Sequence, residues 1–288
     1  GLCNLSEVVV RPSDKYPMLA KKIRVAAILG TLQATLTDFR YLSSAWKRNA
    51  EEERLLGVSL TGIYDSPWLL NATPSQLEAL KKVAVDTNIE FAKKLGINQA
   101  AAVTCVKPSG SVSQLVDSAS GIHPRYGKRY WRRVRNDKKD PISDALIEAG
   151  VKHTTDPYNS EAWSFTFPKR SPSGAITNHD ITAIQHLETW KKFALHWCEH
   201  KPSVTVSVGE DEWPAVGAWC WENFDILSGV SFLPKEDDSH TYMEAPYELC
   251  SAADQKAYPK VKDLNWDSVK QSQDEHMEFA CSSGECEI

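Results

Sequence analysis

The sequence predicts an α/β fold, and three observations predict it. Short apolar runs rich in β-branched residues alternate with longer stretches whose apolar residues recur at helical spacing, the order that strand-helix-strand units produce. One run, Leu55 to Ile63 (LLGVSLTGI), is almost continuously apolar between charges and a turn, as a strand covered on both faces requires. The tetrad Thr73-Pro74-Ser75-Gln76 joins capping-box spacing to a proline at the first helical position, just ahead of a periodic apolar face. Together they imply a largely parallel sheet or barrel.

Taken in order, Leu5 to Arg11 holds the β-branched run Val8-Val9-Val10 and ends at Pro12, which suits a short strand. From Pro17 to Phe39 a helix is expected, because Leu19, Ile23, Ala26, Ala27, Gly30 and Ala34 recur at its period. Leu29, Leu32 and Leu36 widen that stripe, so deep burial is expected. After the strand at Leu55 to Ile63, the helix opened by Thr73 runs along Leu77, Leu80, Ala84, Phe91 and Leu95 to a stop at Gly96. Ala101 to Val106 is a short buried strand. Tyr126 to Arg135, Trp163 to Phe167, Ser203 to Val208 and Gly229 to Leu233 read as strands; Ile142 to Ala149, Ile181 to Trp197 and Glu212 to Asn223 read as helices. A further helix is expected beyond Pro246. From Lys262 the chain turns polar, and residues 262–288 are expected to form a flexible tail.

With 288 residues, 42% hydrophobic and 25% charged, the chain has the make-up of a folded protein with one large or two modest cores. No apolar run approaches the roughly 20 residues a membrane helix needs, and no leader opens the chain, so the reading is cytoplasmic with no membrane partner. A net charge of -5 speaks against a nucleic-acid coat but leaves room for a local anion site. The chain opens Gly1-Leu2-Cys3, and its first methionine is Met18, so it is expected to be a piece of a longer protein or one part of a split one. Seven cysteines without a CxxC pair do not suit a disulfide framework or a structural zinc site; no metal is expected, and cysteine chemistry, if present, should be redox.

Two segments carry chemistry. Pro108-Ser109-Gly110-Ser111-Val112-Ser113 follows a strand and precedes a short helix, an arrangement whose free N–H groups can hold phosphate while serine hydroxyls add donors. From the loop alone an ordinary capped turn is the preferred reading, since serine and glycine are default turn residues. Near the end, Cys281 and Cys286 lie in a Ser- and Gly-containing stretch, where two tethered thiols can exchange with a buried disulfide. Their spacing alone also fits half a metal site or idle surface thiols. Arg125 to Arg135 (RYGKRYWRRVR) is read as a structural face, or one near phosphate, in preference to an RNA site. His123 is read as a satisfied structural or substrate-region histidine. Cys105, Cys198, Cys220 and Cys250 are read as packing residues, and Trp190, Trp197, Trp213, Trp219 and Trp221 as core anchors.

The segment Ala102 to Leu115 (AVTCVKPSGSVSQL) resembles the phosphate-loop region of monomer-type adenosylcobalamin-dependent ribonucleoside-triphosphate reductases. Leu2-Cys3-Asn4-Leu5-Ser6-Glu7-Val8, Leu56 to Ile63, Ser120 to Tyr126, Pro202 to Val206 and Gly229 to Pro234 continue the resemblance in order. It implies the second half of a ten-stranded α/β barrel over residues 1–261, with 262–288 as a mobile tail. Half a barrel leaves open strand edges, so an N-terminal half of the reductase is implied as a partner. The resemblance implies adenosylcobalamin as cofactor, with no contacts assignable in this chain, and a ribonucleotide substrate whose phosphates sit on Pro108, Ser109, Gly110, Ser111, Val112 and Ser113. It implies that Cys3 is one thiol of the pair that reduces the ribose, and that Cys281 and Cys286 recharge it from thioredoxin or a similar dithiol. Two alternatives stay open: a non-catalytic nucleotide-binding or thiol-carrier remnant, and a reductase with another radical source.

Overall fold

The β-branched and apolar runs form strands that alternate with helices along most of the chain. The computed structural model describes residues 3–235, 243–267 and 269. In chain order its elements are β1 (Asn4–Val9), α1 (Tyr16–Gln33), α2 (Ser44–Glu53), β2 (Leu56–Thr61), α3 (Pro67–Leu70), α4 (Pro74–Leu95), β3 (Thr104–Cys105), α5 (Val112–Leu115) and β4 (Arg129–Asp137). There follow α6 (Pro141–Glu148), β5 (His153–Thr155), β6 (Ala162–Arg170), α7 (Ala183–His196), β7 (Ser203–Val208), α8 (Trp213–Glu222), β8 (Gly229–Pro234), β9 (Tyr247–Leu249) and α9 (Ala252–Lys256). Two units divide the chain: Gly1–Arg125 with Ser173–Lys235, and Tyr126–Pro172 with Glu236–Ile288. Among the described residues no helix is long and apolar enough to cross a membrane.

The first unit is parallel. β1 pairs with β2 from Asn4 opposite Leu56 to Val9 opposite Thr61, and β2 pairs with β3 through Ser59 opposite Cys105. All six residues of the central β2 are buried, which is why its sequence is apolar without alternation. A second parallel pair, β7 and β8, runs in register from Ser203 opposite Gly229 to Val208 opposite Pro234. Helix α1 buries Leu19, Ile23, Ala26, Ala27 and Gly30, and α4 adds Leu77, Leu80 and Ala84 to the same core. Each fully buried Leu or Ile there contributes roughly 2 kcal/mol of transfer free energy. The start of α4 is the predicted one: Thr73 Oγ1 accepts the Gln76 N–H, Gln76 Oε1 accepts the Thr73 N–H, and Gly96 ends the helix at a φ of 67°.

Three expectations for this unit need correction. Helix α1 stops at Gln33, short of Phe39, and the Ala34 carbonyl beyond its end is taken by Arg54 Nη1 at 2.5 Å. Leu29 and Leu32 are 57% and 45% exposed, because at about 100° per residue they lie, with Val25, on a second stripe well round from Leu19 and Ile23, and Leu36, 70% exposed, lies beyond the end of the helix. Helix α2 was not foreseen, since its charged sequence buries only Ala50 and carries no apolar period. Of the tryptophans, Trp190, Trp197 and Trp219 are core anchors, but Trp213 and Trp221 lie exposed on α8.

The second unit overturns the expectation of a largely parallel sheet. Its strands run β5-β6-β4-β9 and pair antiparallel throughout, with Arg129 opposite Arg170 and Tyr130 opposite Leu249. A parallel strand must be covered on both faces, whereas β4 is largely half-exposed and spends its charges on neighbours. Arg133 pairs with Glu248 at 2.5 Å, Arg135 pairs with Asp156, and Arg132 stacks over Tyr247 at 4.4 Å. The basic run is thus a structural face. Where a helix was expected beyond Pro246, the chain first forms β9, drawn extended by pairing with β4 and by the stack of Tyr247 on Tyr126.

Candidate active site

Strand alternation sorts the first residues of the chain onto two faces. Ser6 and Val8 turn toward α1, where Ser6 Oγ donates to the Ala26 carbonyl and Val8 is buried. Cys3, Leu5 and Glu7 take the opposite face. On that face β2 contributes Gly57 and Ser59, and β3 contributes Cys105. The register brings the two sulfurs to either side of Gly57: a Cβ built there would lie 2.9 Å from Cys3 Sγ and 3.3 Å from Cys105 Sγ. Only a residue without a side chain leaves that space open.

Burial pushes the Cys3 thiol above its ordinary pKa, with Lys107 pulling the other way. Burial, with Cys3 adding to it, pushes Cys105 up to about 12. His200 stands beside Cys3, its Nε2 at 3.9 Å from Sγ, but that nitrogen is 2.6 Å from the Leu56 carbonyl and donates to it. It therefore cannot take the thiol proton. Cys3 is held as a thiol, which suits transfer of hydrogen and slow thiol exchange better than attack by a ready thiolate. Gly57→Ala is expected to displace Cys3 and to change its rate of alkylation by iodoacetamide severalfold, at an overpacking cost of about 1–3 kcal/mol. An unchanged Cys3 rate in a folded variant would show that the space matters only for packing.

The Pro108 to Ser113 loop begins where β3 ends, and its first turn is tied down from inside. Ser109 and Ser113 are buried, while Pro108, Gly110, Ser111 and Val112 are exposed. Ser109 N–H donates to Ser120 Oγ at 2.8 Å, and Ser109 Oγ donates to Glu7 Oε2 at 2.8 Å while accepting the Ser113 N–H at 3.0 Å. Ser113 Oγ in turn donates to the Ser109 carbonyl. The expectation that the serine hydroxyls add donors is thus corrected for these two, which spend their protons within the protein. What the loop presents are the backbone N–H groups of Gly110, Ser111 and Val112, which donate to no atom among the described residues, and the exposed Ser111. Helix α5 is a single turn and adds little dipole.

The far end of the loop is anchored by buried charge. Arg125 Nε and Nη2 grip both oxygens of Asp65 at 3.0 and 2.9 Å, and Arg125 Nη1 reaches Asp117 at 3.0 Å. Asp65 also accepts the Ala119 N–H at 2.7 Å. Gly121 adopts a φ of +54°, and a Cβ there would meet the Lys107 carbonyl at 2.5 Å, so the returning chain packs directly against the loop's entry. His123 donates from Nδ1 to the Ser120 carbonyl and accepts the Thr205 N–H at Nε2, and burial holds its pKa below the ordinary value. It is a satisfied structural histidine.

The structure thus brings Cys3 and the loop to one face of one sheet, joined through Glu7. Cys281 and Cys286 lie outside the described residues. Among the described residues no cysteine is in a disulfide and no cluster of three His, Cys, Asp or Glu side chains is placed to hold a metal ion. Sequence reasoning missed Glu7, Gly57, Ser59 and His200. The alternation Cys3-Leu5-Glu7 could have exposed Glu7, but nothing local marks Gly57 or His200. Among the described residues β1 pairs with β2 alone, and a groove of about 690 Å³ runs along its other edge between Leu5, Val9, Val25 and Leu29.

No family model matches the sequence. Curated relatives are adenosylcobalamin-dependent ribonucleoside-triphosphate reductases. That of Lactobacillus delbrueckii subsp. bulgaricus is 24% identical over 265 residues, covering 81% of this chain and 35% of its own length. Those of Lactobacillus acidophilus and Euglena gracilis are each 24% identical, covering 99% of this chain and 43% and 40% of their own. The chain therefore spans about two fifths of the length of the relatives it matches. A crystal structure of a B12-dependent (class II) ribonucleotide reductase shares the α/β fold, with a TM-score of 0.73 and 21% identity over 93% of this chain and 41% of that one.

Proposed function

We propose that this chain is the thiol-bearing C-terminal part of an adenosylcobalamin-dependent ribonucleotide reductase that converts ribonucleoside triphosphates to deoxyribonucleotides by thiyl-radical chemistry. The observation that carries the reading is the shared face: Cys3 and Glu7 project from the same side of β1, and Glu7 touches the loop at Ser109. At a strand rise of about 3.3 Å per residue the two side chains are roughly 13 Å apart. A nucleoside polyphosphate bridges that span from sugar to phosphate, and inorganic phosphate does not.

In this reading the N–H groups of Gly110, Ser111 and Val112 hold the phosphate chain, with Pro108, Ser109 and Ser113 shaping the turn. Cys3 supplies one of two thiols at the ribose. Reduction at the 2′ carbon breaks its C–O bond, releases the hydroxyl as water, and turns the two thiols into a disulfide. The second thiol, and the cysteine that carries the radical, belong to the N-terminal half. That half covers the open edge of β1 and the exposed Val25, Leu29 and Leu32, completing a ten-stranded barrel to which residues 1–261 contribute the parallel strands β1, β2, β3, β7 and β8. Adenosylcobalamin supplies the radical when bound. No residue among those described is assigned to the cofactor.

Cys281 and Cys286, within a tail of residues 262–288, then recharge Cys3 by disulfide exchange and are themselves reset by thioredoxin or a similar dithiol. Tethering raises the effective thiol concentration to roughly millimolar. The test combines this chain with a polypeptide carrying the upstream half, adenosylcobalamin, a ribonucleoside triphosphate and dithiothreitol, and measures deoxynucleotide. Absence of product in every such pairing favours a remnant that binds nucleotide without catalysis. Replacing Cys281 and Cys286 by serine is expected to lower thioredoxin-driven turnover about 100-fold while dithiothreitol, which reaches the buried disulfide directly, still supports it. Equal losses with both reductants would remove the shuttle from the proposal.

A further inference from the structure

The loop read as a phosphate site holds an acid against its first turn. We propose that Glu7 is a positioning residue that presets the Ser109 to Ser113 turn and must surrender its charge or its place when a phosphate group enters. The proposal rests on the phosphate-loop reading and deepens it. Ser109 has one hydroxyl proton, and it goes to Glu7 Oε2. Ser109 Oγ itself accepts the Ser113 N–H, so the carboxylate fixes the hydroxyl in the orientation that leaves its lone pair for Ser113. The turn is thereby shaped before any ligand arrives.

The arrangement sets a carboxylate beside donors that suit an oxyanion. Nothing among the described residues neutralises it. On its own strand, Cys3 lies behind it and Arg11 is spent on the carbonyls of Val116 and Asp117. From β2 it faces Ser59, its register partner, whose hydroxyl accepts the Lys107 N–H. From β3 come Cys105 and Lys107, and the Lys107 charge acts on Cys3 and Cys105. From α1, Lys21 and Lys22 line the adjoining groove, and Lys22 is paired with Asp14. Burial raises the Glu7 pKa and the Ser109 bond lowers it in part, so the acid is disposed to take up a proton as a second anion approaches. Phosphate binding is therefore coupled to protonation or withdrawal of Glu7, and weakens as pH rises.

The experiment titrates the whole chain with inorganic tripolyphosphate by calorimetry from pH 5.5 to 8.5, using wild type, Glu7→Gln and Glu7→Ala. Gln keeps an acceptor for Ser109 without the charge, and its own profile reports the ionisation of tripolyphosphate. Relative to Glu7→Gln, wild type is expected to lose about tenfold in affinity across the range, about 1.4 kcal/mol. Glu7→Ala should lose the same pH dependence and also bind more weakly than Gln at every pH, because the turn is no longer preset. A Gln variant with wild-type affinity and profile overturns the coupling, and an Ala variant equal to Gln overturns the presetting. If Gln does not fold, by its melting curve, the Ala profile against wild type decides the coupling alone. If no protein binds tripolyphosphate, the phosphate-loop reading falls, and this proposal with it.

Discussion

Asp65→Ala is expected to cost about 3–5 kcal/mol of stability, a large part of the roughly 5–15 kcal/mol that holds a folded domain together. Asp65 and Arg125 are each 6% exposed, and the carboxylate meets the guanidinium through two hydrogen bonds while accepting the Ala119 N–H. Removing it leaves a buried cation with only Asp117 and the Asp117 carbonyl, together with a buried N–H that has lost its acceptor. Asp117 is 65% exposed, so Asp117→Ala should cost about 1 kcal/mol or less. Urea unfolding of the two variants measures the difference. Equal, small losses would mean that the Arg125 cluster does not hold the loop's far end in place. The same experiment bears on function, since Asp65 holds the Ala119 N–H and the next residue, Ser120, bonds the loop at Ser109.

Cys3→Ser is expected to lower deoxynucleotide formation in the reconstituted enzyme by about 10³-fold or more, some 4 kcal/mol of activation free energy. Serine nearly matches cysteine in shape and can hydrogen-bond, but its oxygen cannot close a disulfide, so two-electron reduction of the ribose loses one electron donor. The comparison that makes the test sharp is Cys105→Ser. Cys105 flanks the same Gly57 but is fully buried with its pKa at about 12, and its replacement should keep activity within a factor of about ten. Matched losses at the two positions would point to disturbed packing around Gly57, and retained thioredoxin-driven turnover in Cys3→Ser would end the reductase reading of this thiol.

Much of the scaffold around these residues was legible before any coordinates. The nearly continuous apolar run at Leu55 to Ile63 announced a doubly covered strand, found at Leu56–Thr61, and the Thr73 to Gln76 tetrad announced both the start and the capping bonds of α4. Ser203 to Val208 was legible as a strand to its exact ends. Cys3 and the Pro108 to Ser113 loop, which the fold brings to one face of a sheet, were candidates from the sequence as well. Other parts were not. The Leu29, Leu32 and Leu36 stripe has the apolar period of a buried face, because a surface awaiting a partner and a surface already covered demand the same residues. Strand-helix alternation in Tyr126 to Pro172 looked like the parallel pattern, and only the pairing of β4 with β6 and β9 shows it to be antiparallel.

By itself the sequence determined most of the first unit's strands and helices in their order, the covered strand and the cap of α4, because periods and capping bonds act over a few neighbouring residues and are written into local composition. Only the tertiary structure decided that Glu7 accepts the proton of Ser109, 102 positions away, that Gly57 leaves room for the sulfurs of Cys3 and Cys105, and that His200 spends its proton on a carbonyl beside the thiol. Such contacts follow from strand register, and a slip of one residue would turn Cys3 and Glu7 to the α1 side of the sheet while leaving the local pattern of the chain almost unchanged.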